Sequence, residues 1–307
     1  MDPVLEAAPS PVHPARRGVG PVWDDGTGEL LWVDTAGEVR WGRVDTAAGV
    51  RDVAMRAVDE PVAAVALTTS PGWLVAAGSG FRVLSPDGAV RVALDLEGGG
   101  RMCGGACDRA GRFFAGVTGT LEHEEEGPGA LYRVDIDGVV SVAATGLIEP
   151  AGIAWSPDDD LLYVADSGAR TVTAYDYDVD LGVLDRPRVV LDFPVDEPMI
   201  PAGLTVDRAG HLWVALEGGG QVRRYSSAGR PEEAVRVAAK QTSGCTFAGP
   251  DLDLLVVTTS TEGLPGPELV AQPDAGRLFT VGIPDVVGRG AFRYGGPLRG
   301  LTNASGD

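Results

Sequence analysis

The sequence is poor in the residues that build disulfide frameworks and most metal or nucleophile sites. It has only three histidines and three cysteines in 307 residues. The cysteines, Cys103, Cys107 and Cys245, are odd in number and lack the CxxC spacing of metal ligands, so we expect neither disulfides nor a structural zinc site. No run of about 18 apolar residues occurs, and the start MDPVLEAAPSPVHPARR lacks a basic-then-apolar signal pattern. We therefore predict a cytoplasmic protein with no membrane partner.

Positive charge is also scarce. The chain has 25 Lys and Arg residues against 44 Asp and Glu, a formal net charge of -19, and no basic cluster reverses this locally. Such a surface repels phosphate backbones, so nucleic acid is not an expected partner. No phosphate-binding glycine loop before a helix, no HExxH and no GxSxG occurs. We accordingly predict no cofactor.

Turn residues and a repeat are what the sequence has in abundance. It contains 44 Gly and 22 Pro, and 44% of its residues are hydrophobic. The repeat consists of a short apolar segment, an Asp/Pro/Gly turn and a second segment rich in Leu, Trp, Tyr and Val. Its clear copies begin at Gly20, Gly104, Ala151, Ala202 and Gly244, and a weaker copy begins at Ala63. Starts roughly 40–50 residues apart, each followed by two more apolar segments, predict an all-β fold: a six-bladed β-propeller with four-stranded antiparallel blades.

Other all-β architectures fit the repeat less well. Strands of a β-sandwich do not recur as quartets, and β-helix coils repeat at about half this length or less. Apolar residues alternate or run in short blocks bounded by Gly, Pro, Asp or Ser, which disfavours helices. We expect residues 1–307 to form a single domain, in which residues 1–17 supply a strand that closes the ring and covers its edges.

The topology of a blade indicates where a site would lie. The innermost strand starts at one face and the second strand returns to it, so the segments before each repeat and after each second strand share that face. We call it the upper face. Two long loops, TGTLEHEEEGPG (118–129) and TTSTEGLPGPELVAQPDAG (258–276), belong to it. Because connecting loops are short by default, these mark the upper face as functional.

The repeat copies resemble a known family. GPVWDDGTGELLWVD, RMCGGACDRAGRFFAG, AGIAWSPDDDLLYVADS, AGLTVDRAGHLWVA and TSGCTFAGPDLDLLVVTT look like successive blade signatures of SMP-30, gluconolactonase and luciferin-regenerating enzyme. The resemblance covers nearly the whole chain. It implies a divalent cation on the axis, held by a Glu in GEGPVW, an Asn in SNG and an Asp in PDG, with an Asn in RFNDG near the substrate. The implied reaction is the opening of a sugar lactone by metal-activated water, helped by the Asp as base.

The residues at those positions depart from the family pattern. Val19 replaces the Glu, Ala151 the Asn and Ala202 the Asp, while Cys103 stands where RFNDG has its Asn. Val and Ala side chains have no donor atom for a cation that prefers oxygen ligands. We therefore predict no metal on the axis, and a roomier, more apolar channel lined by Val19, Ala151 and Ala202 that binds a small molecule.

Three polar residues on the upper face are candidates for chemistry. Arg101 occupies the position of the family's substrate-contacting Arg, and a guanidinium there binds a carboxylate or enolate in two-point fashion, or forms an ordinary loop salt bridge. Glu217, in VALEGGG, stands where relatives commonly have an aromatic residue. Among apolar neighbours it would be an acid or base of raised pKa, or else a solvated loop carboxylate. Glu149, before Pro-Ala-Gly, either faces the channel as a second catalytic carboxylate or only serves a turn.

Cys103 and His123 complete the candidate set. Cys103 is a catalytic nucleophile only if a base lowers its pKa, and no His is adjacent in sequence, so the alternative is a packed thiol. His123, in LEHEEEG, has acidic neighbours that favour its protonated form. It is a candidate substrate contact, against the alternative of a hydrated acidic lid.

Three functions follow from this set. The first is a metal-independent enzyme that closes, opens or isomerises the ring of a small metabolite by acid–base chemistry, as a cyclase, isomerase or lactonase-like hydrolase. The second is a binding or regulatory protein derived from a lactonase and without turnover. The third is a lactone hydrolase with an unrecognised metal site. A carboxylate of perturbed pKa facing the channel favours the first.

Overall fold

The computed structural model describes residues 5–97, 100–119 and 128–304. Within them the chain forms strands β1 to β25 and one short helix. The second strand of each repeat is buried along its length, as in LWVALE (212–217), because both of its faces pack against neighbouring sheets. The all-β, propeller-like fold predicted from the repeat is confirmed. No helix in the described part of the chain is long and apolar enough to cross a membrane.

The chain begins with β1 (Leu5–Pro9) and then folds into successive four-stranded antiparallel meanders. The first contains β2 (Gly18–Asp24), β3 (Glu29–Asp34), β4 (Glu38–Asp45) and β5 (Gly49–Ala57). The second contains β6 (Val62–Ala66), β7 (Trp73–Ala77), β8 (Gly80–Leu84) and β9 (Val90–Asp95). The third contains β10 (Met102–Cys107), β11 (Phe113–Val117), β12 (Gly129–Val134) and β13 (Val139–Leu147). The fourth contains β14 (Pro150–Trp155), β15 (Leu161–Asp166), β16 (Thr171–Asp178) and β17 (Val183–Asp192).

The remaining strands form one eight-stranded sheet around β1. It contains β18 (Ile200–Val206), β19 (Leu212–Glu217), β20 (Gln221–Tyr225), β21 (Pro231–Val237), β22 (Thr242–Ala248), β23 (Leu254–Thr259) and β24 (Phe279–Gly282). Helix α1 (Gly266–Ala271) lies between β23 and β24. β1 pairs in parallel with β21 and antiparallel with β24, so the first strand of the chain lies between two of the later ones. A short strand near the C-terminus, β25 (Thr302–Asn303), adds in parallel to β13.

The first strands of the four meanders, together with β18 and β22, which begin the equivalent meanders within the eight-stranded sheet, surround a common axis; we call these six the first strands. They contact one another in the cyclic order β2, β6, β10, β14, β18, β22 and back to β2. Glycines permit the close approach: a Cβ on Gly104 would lie 2.3 Å from the Ala151 carbonyl oxygen, and one on Gly203 would lie 2.7 Å from Gly244 Cα. The glycines that mark the repeats in the sequence therefore lie where neighbouring backbones nearly touch.

The core fills the spaces between neighbouring sheets. Between the third and fourth meanders, the Phe114 ring packs edge-on against Trp155 at 5.5 Å and against Tyr177 at 6.0 Å. Aromatic pairs of this geometry stabilise a core beyond the area they bury.

A segment near the C-terminus, residues 287–295, crosses the face opposite the upper one, which we call the lower face. The Gly288 amide donates to the Leu252 carbonyl at 2.7 Å, and the Tyr294 amide donates to the Leu67 carbonyl at 2.7 Å. This crossing segment spans the axis and closes the lower end of the channel.

Candidate functional site

Each first strand is irregular at its upper end. The pairing with its second strand shifts register at an equivalent place in every meander: between Val19 and Val22, Val62 and Ala64, Cys103 and Gly105, Pro150 and Gly152, Pro201 and Leu204, and Thr242 and Gly244. Such bulges re-aim side chains and are common next to functional sites. The predicted wall positions thus lie at or beside a ring of bulges around the upper end of the axis.

Below this ring lies a cavity of about 150 Å³. All six first strands line it, and residues 289–292 of the crossing segment form its floor. Among the predicted site residues that the structure describes, Ala151 alone contributes to the lining. The candidate polar residues therefore do not lie in the cavity; they lie on the upper face above it.

The three positions that the resemblance assigns to a cation do not fit one. Their side chains are hydrocarbon, and Ala202 is buried. Neighbouring backbone also lies close to two of their carbonyl oxygens: an ideal Cβ on Gly104 would lie 2.3 Å from Ala151 O, and one on Gly152 would lie 2.6 Å from Ala202 O. Nowhere in residues 5–97, 100–119 and 128–304 do three or more His, Cys, Asp or Glu residues gather as metal ligands. A hard cation needs several oxygen ligands at about 2.0–2.6 Å, which these positions do not offer.

The strongest polar contact on the upper face joins Arg17 to Glu217. Arg17 Nη1 and Nη2 donate to the two carboxylate oxygens of Glu217 at 2.9 and 2.8 Å. Arg17 precedes β2, and its amide donates to Asp34 Oδ1 at 3.2 Å. Glu217 ends β19 and forms a backbone bridge with Gln241. The Arg17 and Glu217 side chains are 22% and 11% exposed, so the pair is mostly shielded from water and stronger than a surface ion pair.

Burial has the largest influence on the pKa of Glu217. It raises the pKa of this carboxyl above its ordinary value, and the charge and hydrogen bonds of Arg17 oppose it only in part. The nearby carboxylates of Glu149 and Glu262 raise the Glu217 pKa further. A carboxyl group of raised pKa is better matched to proton transfer near neutral pH.

Arg101 and Glu149 lie together, as a looser pair. Arg101 Nη2 lies 3.5 Å from Glu149 Oε1, and the Arg101 side chain is 58% exposed. The Glu149 amide donates to Asp166 Oδ1 at 2.8 Å, which fixes the backbone there. The two predicted residues thus share the mouth of the channel, and Arg101 has the solvent-exposed ion pair that the sequence left as its alternative.

Cys103 is a buried thiol. Burial raises its pKa far above the ordinary value, the charge of Glu149 adds to this rise, and the charge of Arg101 opposes it. This environment disfavours the thiolate that a nucleophile would need. The other predicted residue of this pair, His123, lies outside the described residues.

Two residues of the upper face were not singled out in the sequence. Arg17 is the first: it lies 200 positions from its partner Glu217 in the sequence, so no local motif connects the two residues. Gln241 is the second: its side-chain Oε1 is buried without a hydrogen-bond partner. Directly opposed residues of an antiparallel pair point their side chains to the same face, which puts Gln241 beside Glu217.

The family model described as SMP-30/Gluconolactonase/LRE-like region matches residues 17–261. Regucalcin from Oryctolagus cuniculus is 32% identical over 292 residues, covering 91% of this chain and 95% of that protein. The crystal structure of a calcium-binding protein, regucalcin from Agrobacterium tumefaciens, is similar with a TM-score of 0.85 and 26% identity over 96% of this chain and 99% of that one. Luciferin-regenerating enzyme gives a TM-score of 0.79 and 27% identity over 91% and 95% of the two chains.

Proposed function

This chain belongs to the SMP-30/gluconolactonase/LRE-like family, and on that premise we propose that it opens, closes or isomerises the ring of a small metabolite by acid–base chemistry without a cation on the axis. The observation that carries the proposal is the buried Glu217 carboxylate, of raised pKa, held by Arg17 at the mouth of the channel. Glu217 can transfer a proton there, whereas Val19, Ala151 and Ala202 have hydrocarbon side chains at the positions where the resemblance implies cation ligands.

We infer the architecture in more detail as one domain of six four-stranded blades. The eight-stranded sheet then counts as two blades, with β1 as the outer strand of the last. The closed cycle of contacts among β2, β6, β10, β14, β18 and β22 supports this count. Closure by β1 leaves fewer unpaired sheet edges. We further propose a cytoplasmic protein whose ligand is a small molecule bound in the channel.

The proposed roles follow from the environment of each side chain. Glu217 accepts or donates the proton at the reacting oxygen or carbon, because burial raises its pKa above that of an ordinary glutamate. Arg101 and Glu149, more exposed, orient the polar end of the substrate at the mouth. Cys103, as an uncharged thiol, only packs beside the mouth of the channel. Ala151 and apolar residues of the other first strands that line the cavity, such as Val65 and Val206, form an apolar surface for the ring of the substrate.

Cation-dependent lactone hydrolysis is the second candidate. Its support is the likeness to a structure described as a calcium-binding protein, with 26% identity over 96% of this chain. Against it stand the hydrocarbon side chains of Val19, Ala151 and Ala202, which offer no ligand atom to a cation. The two candidates differ in whether turnover survives removal of divalent cations.

The experiment is a turnover assay on chelator-treated protein with a panel of γ- and δ-lactones, sugar lactones and hydroxy acids. We expect activity on one member of the panel to persist after chelation. Glu217→Gln should lower kcat by about 10²–10⁴, the usual contribution of a general acid or base. The matched control is Glu60→Gln, since Glu60 forms a similar two-point pair with Arg82 and, within the described residues, no hydrogen bond or ion pair with Arg17, Glu217, Arg101 or Glu149; it should keep kcat within about twofold.

Two results would contradict the proposal. Full activity of Glu217→Gln would remove the acid–base role. Loss of activity on chelation, with recovery on addition of calcium, manganese or zinc, would favour the second candidate instead.

A further inference from the structure

The guanidinium of Arg17 is the most shielded positive charge at the mouth of the channel, and a carboxylate already holds it. We propose that Arg17 is the anion-binding residue for a substrate that carries a carboxylate, and that this substrate binds by taking Arg17 from Glu217, which takes up one proton. The inference rests on the proposed function, since it assigns a substrate class and a binding residue to the same site.

The geometry of the Arg17–Glu217 pair allows a substrate carboxylate to replace the Glu217 carboxylate without loss of hydrogen bonds. Both oxygens of Glu217 are bound in parallel by the two Nη atoms of Arg17, at 2.9 and 2.8 Å. A substrate carboxylate has the same shape and charge as the carboxylate group of Glu217, so it can accept the same two hydrogen bonds from Arg17. Arg101 does not match this role as well, because it is 58% exposed and its contact with Glu149 is 3.5 Å long.

The charges around Arg17 explain why a proton should bind together with the substrate carboxylate. Three carboxylates gather here, Glu217 at the end of β19, Glu149 before β14 and Glu262 after β23. Three guanidinium groups oppose them: Arg17 on Glu217, Arg101 on Glu149, and Arg16 on Glu262 at 2.9 Å, with Arg17 also 4.0 Å from Glu262. Two more carboxylates accept backbone amides of this group: Asp34, which pairs with Arg40, and Asp166. A substrate anion therefore adds negative charge to a set that has no excess of positive charge. Neutralising one carboxylate offsets this added charge.

Burial selects which carboxylate takes the proton. The Glu217 side chain is 11% exposed, whereas those of Glu149 and Glu262 are 33% and 38% exposed. Once Arg17 has turned to the substrate, an ionised Glu217 would be a buried charge without its partner, the costliest arrangement for a carboxylate. Glu149 and Glu262 keep water and their own guanidinium groups.

An unsatisfied acceptor on the neighbouring strand supports the protonated state. Gln241 Oε1 is buried without a hydrogen-bond partner, and Gln241 is bridged to Glu217 in the sheet. An ionised carboxylate can only accept hydrogen bonds, whereas a protonated one can donate one. Protonated Glu217 can therefore donate to the Gln241 oxygen, which otherwise is a buried acceptor without a partner.

The test is isothermal titration calorimetry of the full chain with benzoate, acetate and D-gluconate as anionic probes. Benzamide is the neutral counterpart of benzoate. Runs at one pH in two buffers of different ionisation enthalpy give the number of protons bound with the ligand. We expect about one proton taken up per carboxylate near neutral pH, and a Kd that rises about tenfold per pH unit above neutrality. Benzamide should bind without proton uptake or not at all.

Variants separate this exchange from ordinary anion binding. Glu217→Gln should bind the probe carboxylates more tightly, with no proton uptake and no pH dependence, because Arg17 is then free of a charged competitor. Arg17→Gln should raise Kd by more than about tenfold, the loss of a charge-assisted pair. Arg186→Gln is the control, since the Arg186 side chain is 78% exposed and pairs with Asp176 and Asp185 rather than with any of these groups; it should leave Kd within about twofold.

Carboxylate binding by wild type without proton uptake, equal binding by Arg17→Gln, or no binding of any probe at millimolar concentrations would overturn the inference. If Arg17→Gln fails to fold, the loss of proton linkage in Glu217→Gln still decides. Failure here is distinguishable from failure of the proposed function. Proton-linked binding at Arg17 with unchanged turnover in Glu217→Gln would remove only the catalytic role, and the converse result would remove only the anion exchange.

Discussion

At the scale of single residues, the raised pKa of Glu217 has a consequence for stability that does not depend on knowing the substrate. Burial makes the folded protein hold this proton more tightly than the unfolded chain, whose Glu has the ordinary pKa of 4.5. The stability from this effect is fully present below pH 4.5 and is lost as pH rises from there through the folded-state pKa. Glutamine carries no titrating proton.

We therefore predict that wild type loses stability relative to Glu217→Gln as pH rises from about 4 toward neutral. Urea unfolding of both proteins across that range measures the difference in the free energy of unfolding. A constant difference, or one that grows in favour of wild type with pH, would show that Arg17 outweighs burial.

The sequence predicted which candidate residues share a face better than it predicted their contacts. It placed Glu217, Glu149 and Arg101 on one face, because the blade repeat fixes which turns share that face, and the structure brings Arg101 and Glu149 together. It did not identify Arg17, because a pair that spans 200 residues leaves no local pattern. The environment of Cys103 is also a tertiary property: whether a thiol is activated depends on burial and neighbouring charges that the motif RMCGG does not specify.

At the scale of structural elements, the repeat predicted the regular strands and missed the irregular ones. The copies that begin at Gly20 and Gly104 start within β2 and β10, and LLWVD lies in β3. Alternating or blocked apolar residues give such strands a strong local signal. The two-residue strand β25 and the crossing segment, residues 287–295, have no periodic pattern. Their positions follow from contacts with distant turns.

Arg289 is the main polar anchor of the crossing segment. Its Nη1 donates to the carbonyl oxygens of Trp155 and Ser156 at 3.0 and 2.5 Å, and its Nη2 donates to Asp159 Oδ1 at 2.9 Å. The Asp159 side chain is 2% exposed, and its other cationic neighbour, Arg109, lies 3.6 Å away. Removing Arg289 would leave a buried carboxylate with one weaker partner and open the floor of the cavity.

We predict that Arg289→Ala lowers the free energy of unfolding by about 2–4 kcal/mol, as expected when one partner of a buried pair is lost. The control is Arg186→Ala, which removes a 78% exposed arginine paired with Asp176 and Asp185 and should cost less than about 1 kcal/mol. Urea unfolding of the three proteins gives both values. Equal effects of the two substitutions would show that the crossing segment is not anchored through Arg289.

At the scale of the whole molecule, the cavity lies on the axis of a closed ring of first strands, and each of these six strands lines it. β1 lies between β21 and β24, so residues near the start of the chain are paired with strands from its second half. The ring of bulges recurs once per meander, which is why positions as distant in sequence as Val19, Ala151 and Ala202 are equivalent in the fold. The repeat aligned these positions in the sequence, and the family resemblance implied that they would hold cation ligands.

The central claim is that this family member works without a cation on that axis. The most direct measurement is anomalous scattering from crystals soaked in calcium, manganese or zinc. The triple variant Val19→Glu, Ala151→Asn, Ala202→Asp, which restores the ligand types implied by the resemblance, serves as the positive control. We predict no ion on the axis in wild type and a bound ion in the variant. An ion in wild type at about 2.0–2.6 Å from protein oxygens beside those three residues would contradict the claim and return metal-dependent hydrolysis to first place.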